Sequence, residues 1–271
     1  MQLPYAATDS PIASQTIATA QPAGWIWDIG LPTRRGVGYV HSSAHTTEAE
    51  AEQVLKEYVA KTAGQQRADA LAPRKISFDP GHRKEFWHRN CVAVGISAGF
   101  IEPLEASALA LIELSAAMIR DEFPKNRELM DVVAKRFNET FRYRWDRVID
   151  FLKLHYITSQ REGQAFWTDN RHPGSIPGRL EELMALWRFQ PPSRRDVNRI
   201  EEIFPSASYQ YVLYGMGFVP QAGAVCRKSD DPGLADKLIR ENSRITQRML
   251  HGLPSTRELL DHVIEHGMPR S

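Results

Sequence analysis

The sequence predicts an α+β protein in which a strand-rich first part, residues 1–102, is followed by a predominantly helical part, residues 103–271. Three observations carry that expectation. Between Gln15 and Ser43, residues rich in Thr, Ile, Val, Trp and Tyr are punctuated by Gly24, Gly30, Pro32, Gly36 and Gly38, as in short strands joined by turns. After Pro103, apolar residues recur at spacings of three and four through Leu109, Ile112 and Met118, and again through Phe137, Phe141, Val148 and Phe151. That is the buried stripe of amphipathic helices. Prolines from Pro124 to Pro254 then cut this second part into separate helices, because a proline inside a helix removes a donor and clashes with the preceding turn.

Between the strands and the helical part, Thr46 and Thr47 precede the run Val54, Leu55, Tyr58 and Val59, and Glu50 lies three residues after Thr47. This is a capping-box start of a helix. The segment from Lys75 to Ala98 holds Ile76, Phe78, Phe86, Trp87 and the apolar run Cys91-Val92-Ala93-Val94 before Gly95. Strands are expected here, the last of them buried. A small-residue turn follows, and a helix begins near Glu102-Pro103 or near Ser107.

Composition narrows the function classes. Hydrophobic residues make up 42% of the chain, enough for a proper core, and 34 basic residues against 33 acidic leave a net charge of +1. No long-range field favours nucleic acid or an anionic membrane. The two cysteines, Cys91 and Cys226, stand far apart without a Cys/His cluster, which argues against a disulfide scaffold or a structural zinc; no metal ligand set is expected. Residues 1–20 lack a basic start and a continuous apolar core, so they do not read as a signal peptide. No apolar run reaches the roughly 18 residues that crossing a bilayer needs. A cytoplasmic location is expected.

Two segments carry chemistry. In Gly24-Trp25-Ile26-Trp27-Asp28-Ile29-Gly30, strand alternation puts Trp25, Trp27 and Ile29 on one face, a rigid apolar wall that either packs a core or faces a planar ligand. In the stretch from Asn90 to Leu109, the run Gly95-Ile96-Ser97 leads to Glu102-Pro103-Leu104-Glu105-Ala106-Ser107-Ala108. A helix start there exposes unpaired amides able to hold an anion. Alternatively, the two glutamates merely complement the helix dipole, a contribution of about 0.3–1 kcal/mol each. Three lesser features read as structural: His155-Tyr156 and Arg161-Glu162 at a helix end, and His262 with His266, four apart on a helix but with no third ligand.

These segments resemble flavin-dependent halogenases of the tryptophan halogenase family. Trp25-Ile26-Trp27-Asp28-Ile29 is similar to the family's Trp-x-Trp-x-Ile-Pro signature, with Gly30 in the proline's place, and the Gly-Ile-Ser turn with Glu-Pro-Leu-Glu matches its most recognisable late motif. The resemblance runs from about Met1 to Gly217. It implies the carboxy-terminal portion of a flavin-monooxygenase-like, FAD/NAD(P)-binding two-domain fold. Glu105 matches the catalytic glutamate, and Gly95, Ile96 and Leu109 match residues that line the flavin. The amides of Ser107 and Ala108 match the pair that holds the halide, although tryptophan-specific members read Glu-Ser-Thr-Gly where this chain reads Glu105-Ala106-Ser107-Ala108. Trp25, Trp27 and Phe204 fall at substrate-pocket positions. Ile203 and Phe204 stand where tryptophan halogenases keep a Phe-Trp pair, so the substrate implied is an aromatic other than free tryptophan.

For the intact family, the implied chemistry is chlorination or bromination of a small aromatic substrate with reduced FAD, oxygen and chloride or bromide, the FAD being supplied reduced by a flavin reductase. The family's Gly-x-Gly-x-x-Gly loop and its lysine precede the matched region. The expectation is therefore a chain inactive by itself that needs an N-terminal half. Two other readings compete: a flavin monooxygenase relative that no longer halogenates, and a helical binding module in which Trp25, Trp27 and the glutamates are only structural. Halide-dependent product would separate the first from a halogenase, and a flavin-binding loop encoded just upstream would exclude the second.

Overall fold

Four antiparallel strands, β1 (Gln2–Pro4), β2 (Ile17–Gln21), β3 (Gly24–Gly30) and β4 (Arg34–His41), form one sheet in the order β1-β4-β3-β2. They belong to a computed structural model that describes residues 1–197, 202–221 and 231–268. Three of the four strands occupy the glycine-punctuated stretch as expected; β1 lies outside it and adds to the edge of β4. On one face of β3, Ile26 is fully buried with Val37 of β4 and with Leu55 and Val59 of helix α1 (Glu48–Ala63). Thr47 caps α1 in a reciprocal box with Glu50, as the sequence indicates. A short helix α2 (Gln65–Asp69) follows.

The opposite face of β3 carries the tryptophans. Trp25 is 3% exposed, whereas Ile29 at the far end is 38% exposed. Trp27 sits opposite Gly38 in the ladder, and its ring lies on the neighbouring strand: a Cβ at Gly38 would come within 2.3 Å of the ring and one at Gly36 within 3.2 Å. The Gly36-Val37-Gly38 pattern is therefore a bed for an indole. Beneath it, the buried Asp28 is held by the Arg35 guanidinium and by the Tyr58 hydroxyl, which donates at 2.9 Å.

Residues 75–102 correct the sequence reading. Only two-residue ladders form, β5 (Gly81–His82) with β8 (Gly99–Phe100) and β6 (Trp87–His88) with β7 (Cys91–Val92). The run Cys91–Val94 is no buried strand: Cys91 is exposed and the next three residues are half-buried. A helix side chain takes over what a neighbouring strand would supply. The amides of Phe86 and Trp87 donate to Asn138 Oδ1 at 2.7 and 2.8 Å, and Asn138 Nδ2 donates to the Trp87 carbonyl at 2.8 Å. Buried backbone polar groups need partners, and these are met without a wider sheet.

The helical expectation holds for α3 (Ala108–Asp121), α4 (Met130–Ile157), α5 (Ala165–Asn170), α6 (Gly178–Trp187) and α7 (Ser206–Gly215). Of the two starts open for α3, the one at Ser107 is realised. Helix α4, 28 residues long, is the spine: Phe137, Phe141, Val148, Phe151 and Leu152 are all buried, with Trp187 and Tyr209 against them. Burying each such ring removes enough apolar surface to stabilise by roughly 1.5–3 kcal/mol.

Helices α8 (Pro232–Gly252) and α9 (Thr256–His266) do not join this core. The compact units are residues 1–74 with 226–271, and residues 75–225, so the division at 102/103 does not describe the packing. Periodicity identifies helices without saying which core each one joins. Arg257 of α9 ties the first unit together, donating to the Ser10 carbonyl at 3.1 and 2.9 Å and to the Pro32 carbonyl at 2.7 Å. Helix α8 carries an apolar stripe, Leu234, Leu238, Ile239, Met249 and Leu250, yet it buries none of its residues. Among the described residues, no helix is long and apolar enough to cross a membrane.

Candidate active site: a glutamate turn held by a histidine and a tyrosine

The chain from Glu102 to Ala108 folds into a tight turn that delivers it to α3. The Ala106 amide donates to the Pro103 carbonyl at 3.1 Å, and Ala106 takes φ +48°, a left-handed conformation that costs a residue with a Cβ roughly 1–2 kcal/mol. Ser107 then caps the helix with its backbone only, its hydroxyl making no capping bond. It is 8% exposed. Among the described residues no acceptor takes the N–H of Ser107 or Ala108. Two neighbouring donors at the positive end of a 14-residue helix are a fit place for an anion. Ala106 thus adopts the conformation that a glycine would take more cheaply, and the sequence departure at this turn leaves both amides available.

Beside this turn lies the loop Gly95–Ser97. Gly95 has φ +64°, and a Cβ placed on it would stand 3.4 Å from Ile112 of α3. Ser97 closes the loop, its Oγ accepting from the Val94 amide at 3.1 Å and donating to the Val94 carbonyl at 2.9 Å. The loop presents Ile96, 82% exposed, and the first turn of α3 presents Leu109, 72% exposed. Large apolar side chains held so far out into water from ordered backbone suit contact with a flat apolar group. Gly95, Ile96 and Leu109 are thereby fit to line a flavin ring.

The glutamates are not loose. His155, near the end of α4, brings Nε2 to 2.8 Å from Glu105 Oε1, and its Nδ1 donates to the Phe151 carbonyl at 2.8 Å. The next residue, the buried Tyr156, donates its hydroxyl to Glu102 Oε1 at 2.6 Å. Lys153 lies one turn back and feels the Glu102 charge. Burial pulls the lysine's pKa down from its ordinary value, and Glu102 offsets part of that. Its Nζ donates to Asn170 at 3.1 Å.

Sequence reasoning missed His155 and Tyr156, reading them as helix-end packing. The contacts bridge about fifty residues, and the one available signal was that two chemically able residues adjoin each other on α4 just as the two glutamates bracket their turn. Phe204 is 8% exposed and stacks on Phe151 with ring centroids 4.0 Å apart, and Phe151 in turn meets the His155 ring edge-on at 5.2 Å. Its place is behind His155, within the core. Trp25 and Trp27 belong to the sheet of the first unit. His262 and His266 stack at 4.4 Å on exposed α9, and among the described residues no three His, Cys, Asp or Glu side chains gather as a metal site. Cys226 lies outside the described residues.

Residues 2–230 match the family model described as tryptophan halogenase. The tryptophan 6-halogenase SttH of Streptomyces toxytricini is 31% identical over 261 residues, 95% of this chain and 48% of that protein. A tryptophan halogenase structure from Shewanella frigidimarina is 48% identical with a TM-score of 0.92, covering 100% of this chain and 51% of that one. BrvH, a flavin-dependent halogenase from Brevundimonas sp. BAL3, superposes with a TM-score of 0.82 at 31% identity, covering 97% of this chain and 51% of that one. The chain spans about half the length of the curated relatives it matches.

Proposed function

The chain belongs to the tryptophan halogenase family, and from that premise we propose that it supplies the halide and substrate side of a flavin-dependent halogenase acting on an aromatic compound other than free tryptophan. The observation that carries this reading is the juxtaposition of two unclaimed amides, Ser107 and Ala108, with the Glu105 carboxylate on one turn. Oxygen, activated by reduced FAD that a flavin reductase in the cytoplasm would deliver, would supply the oxidising equivalents that turn chloride or bromide into a halogenating species.

This chain's residues do the rest. The Ser107 and Ala108 amides hold the halide at the start of α3. Gly95, with Ile96 and Leu109, would hold the isoalloxazine ring, the two exposed apolar side chains helping to exclude water from it. Glu105 orients the halogenating species and accepts the proton lost from the aromatic carbon, which requires an ionised carboxylate within reach of that proton. Trp25 and Trp27 form the aromatic wall of the first unit, and Phe204 buttresses the Phe151–His155 pair.

The reading includes the remaining half of the relatives' length, whether on the same polypeptide or on another, as the part that carries the flavin diphosphate loop and the lysine. The uncovered apolar stripe of α8 supports it, since a 21-residue amphipathic helix with no buried residue gains its stability by being covered. The test is complementation. The 271-residue chain is assayed with a flavin reductase, an electron-rich aromatic and bromide, with and without the complementary half from a relative. The expected result is weak FAD binding and no product from the chain alone, halide-dependent product from the pair, and a loss of about 10²–10⁴-fold with Glu105→Gln. Tight FAD binding and halogenation by the chain alone would overturn the need for a partner. Halide-independent oxygenation of the aromatic would overturn halogenation itself.

A further inference from the structure

His155 has two neighbours that both lack a proton to give. Its Nδ1 lies 2.8 Å from the Phe151 carbonyl oxygen, which only accepts, so Nδ1 carries hydrogen. Its Nε2 lies 2.8 Å from Glu105 Oε1. A neutral imidazole with its hydrogen on Nδ1 would aim a bare lone pair at a carboxylate oxygen, which is repulsive at that distance. A second proton resolves the conflict. The pair is only partly open to water, its side chains 20% and 30% exposed, so the attraction between opposite charges is less screened than at a free surface.

We propose that His155 is a positioning residue for Glu105: it is held as an imidazolium by the Phe151 carbonyl on one side and Glu105 on the other, and it keeps that carboxylate ionised with Oε1 occupied and Oε2 turned to the reacting groups. The proposal rests on the reading of Glu105 as the catalytic carboxylate. The surrounding groups fit. Glu102, the other carboxylate of the turn, is occupied by the Tyr156 hydroxyl at 2.6 Å, and the Lys153 ammonium lies near Glu102, so Glu102 does not compete for the imidazolium. Phe151, edge-on at 5.2 Å and itself stacked on Phe204, fixes the plane of the imidazole ring. Adjacent residues on the last turns of α4 thus hold both ends of the Glu102–Glu105 turn, so the turn bearing the Ser107 and Ala108 amides is set by the helix.

The direct test needs no activity. In the full chain labelled with ¹⁵N-histidine, with the His155 signals identified through His155→Gln, both ring nitrogens are expected to bear hydrogen at pH 7. In Glu105→Gln, whose amide can donate to a bare Nε2, the neutral form with hydrogen on Nδ1 is expected at the same pH. Identical spectra in the two proteins, or a neutral ring in the wild type, would overturn the proposal. A second arm uses the complemented enzyme. His155→Phe keeps the ring packing but offers no donor, and should lower kcat about 10–100-fold with KM unchanged, whereas His155→Gln, which keeps a donor near Nε2, should recover most of that loss. Equal activity in the two variants would also overturn it. The catalytic reading fails separately, if Glu105→Gln halogenates normally while the histidine spectra still respond to it.

Discussion

At the scale of single residues, close approach decides more than identity. Trp27 lies across β4 because Gly36 and Gly38 leave room for its ring, and Ala106 bears a left-handed backbone in the turn that leads into α3. The first of these makes a clean prediction. Gly38→Ala places a methyl 2.3 Å from the indole, so the ring must lift from the strand, at a cost of about 1–3 kcal/mol for an overpacked site. Chemical denaturation should show that loss, with Gly81→Ala as the control, since a Cβ at Gly81 meets nothing within 4 Å. An unchanged midpoint for Gly38→Ala would mean that Trp27 does not rest on β4.

At the scale of elements, helix starts were the most legible part of the sequence, because a cap is a local arrangement of three or four residues. The Thr47/Glu50 box is formed as read, and Ser255 with Glu258 forms a second at the start of α9. Both carboxylates are held below their ordinary range, each first by the backbone N–H of its capping residue, Thr47 or Ser255, and then by that residue's hydroxyl. A carboxylate whose folded value is depressed contributes stability above its unfolded value and loses it as pH falls through the folded one. Acidification through and below the usual carboxylate range should therefore fray α1 and α9 at their amino ends, speeding amide exchange at Glu50 and Glu258 ahead of the α4 interior; simultaneous loss of all three would contradict it. The short ladders of residues 81–100 were illegible for the opposite reason. At Phe86 and Trp87 the backbone partner is Asn138, a side chain some fifty residues away, and strand periodicity cannot register a helix standing in for a strand.

At the scale of the whole molecule, the chain returns to its beginning: residues 226–271 share a unit with residues 1–74. Arg257 makes that connection with three hydrogen bonds to the Ser10 and Pro32 carbonyls, and its guanidinium lies 5.3 Å from the centre of the Tyr5 ring. Arg257→Met should destabilise the first unit by about 1–2 kcal/mol, a modest figure because charged hydrogen bonds in part-buried settings compete with water. Hydrogen exchange should accelerate across residues 1–74 and 231–268 and leave residues 75–197 unchanged; acceleration spread evenly over both would show that the units do not unfold separately. The sequence by itself determined the helices of the second part, the glycine-punctuated strands, the caps and the family, since each is written in residues close together along the chain. Only the tertiary structure decided that α8 and α9 join the first unit, that Phe204 packs behind His155, and that His155 and Tyr156 hold Glu105 and Glu102. Those outcomes depend on pairings between distant segments, which the hydrophobic pattern drives but does not address to particular partners.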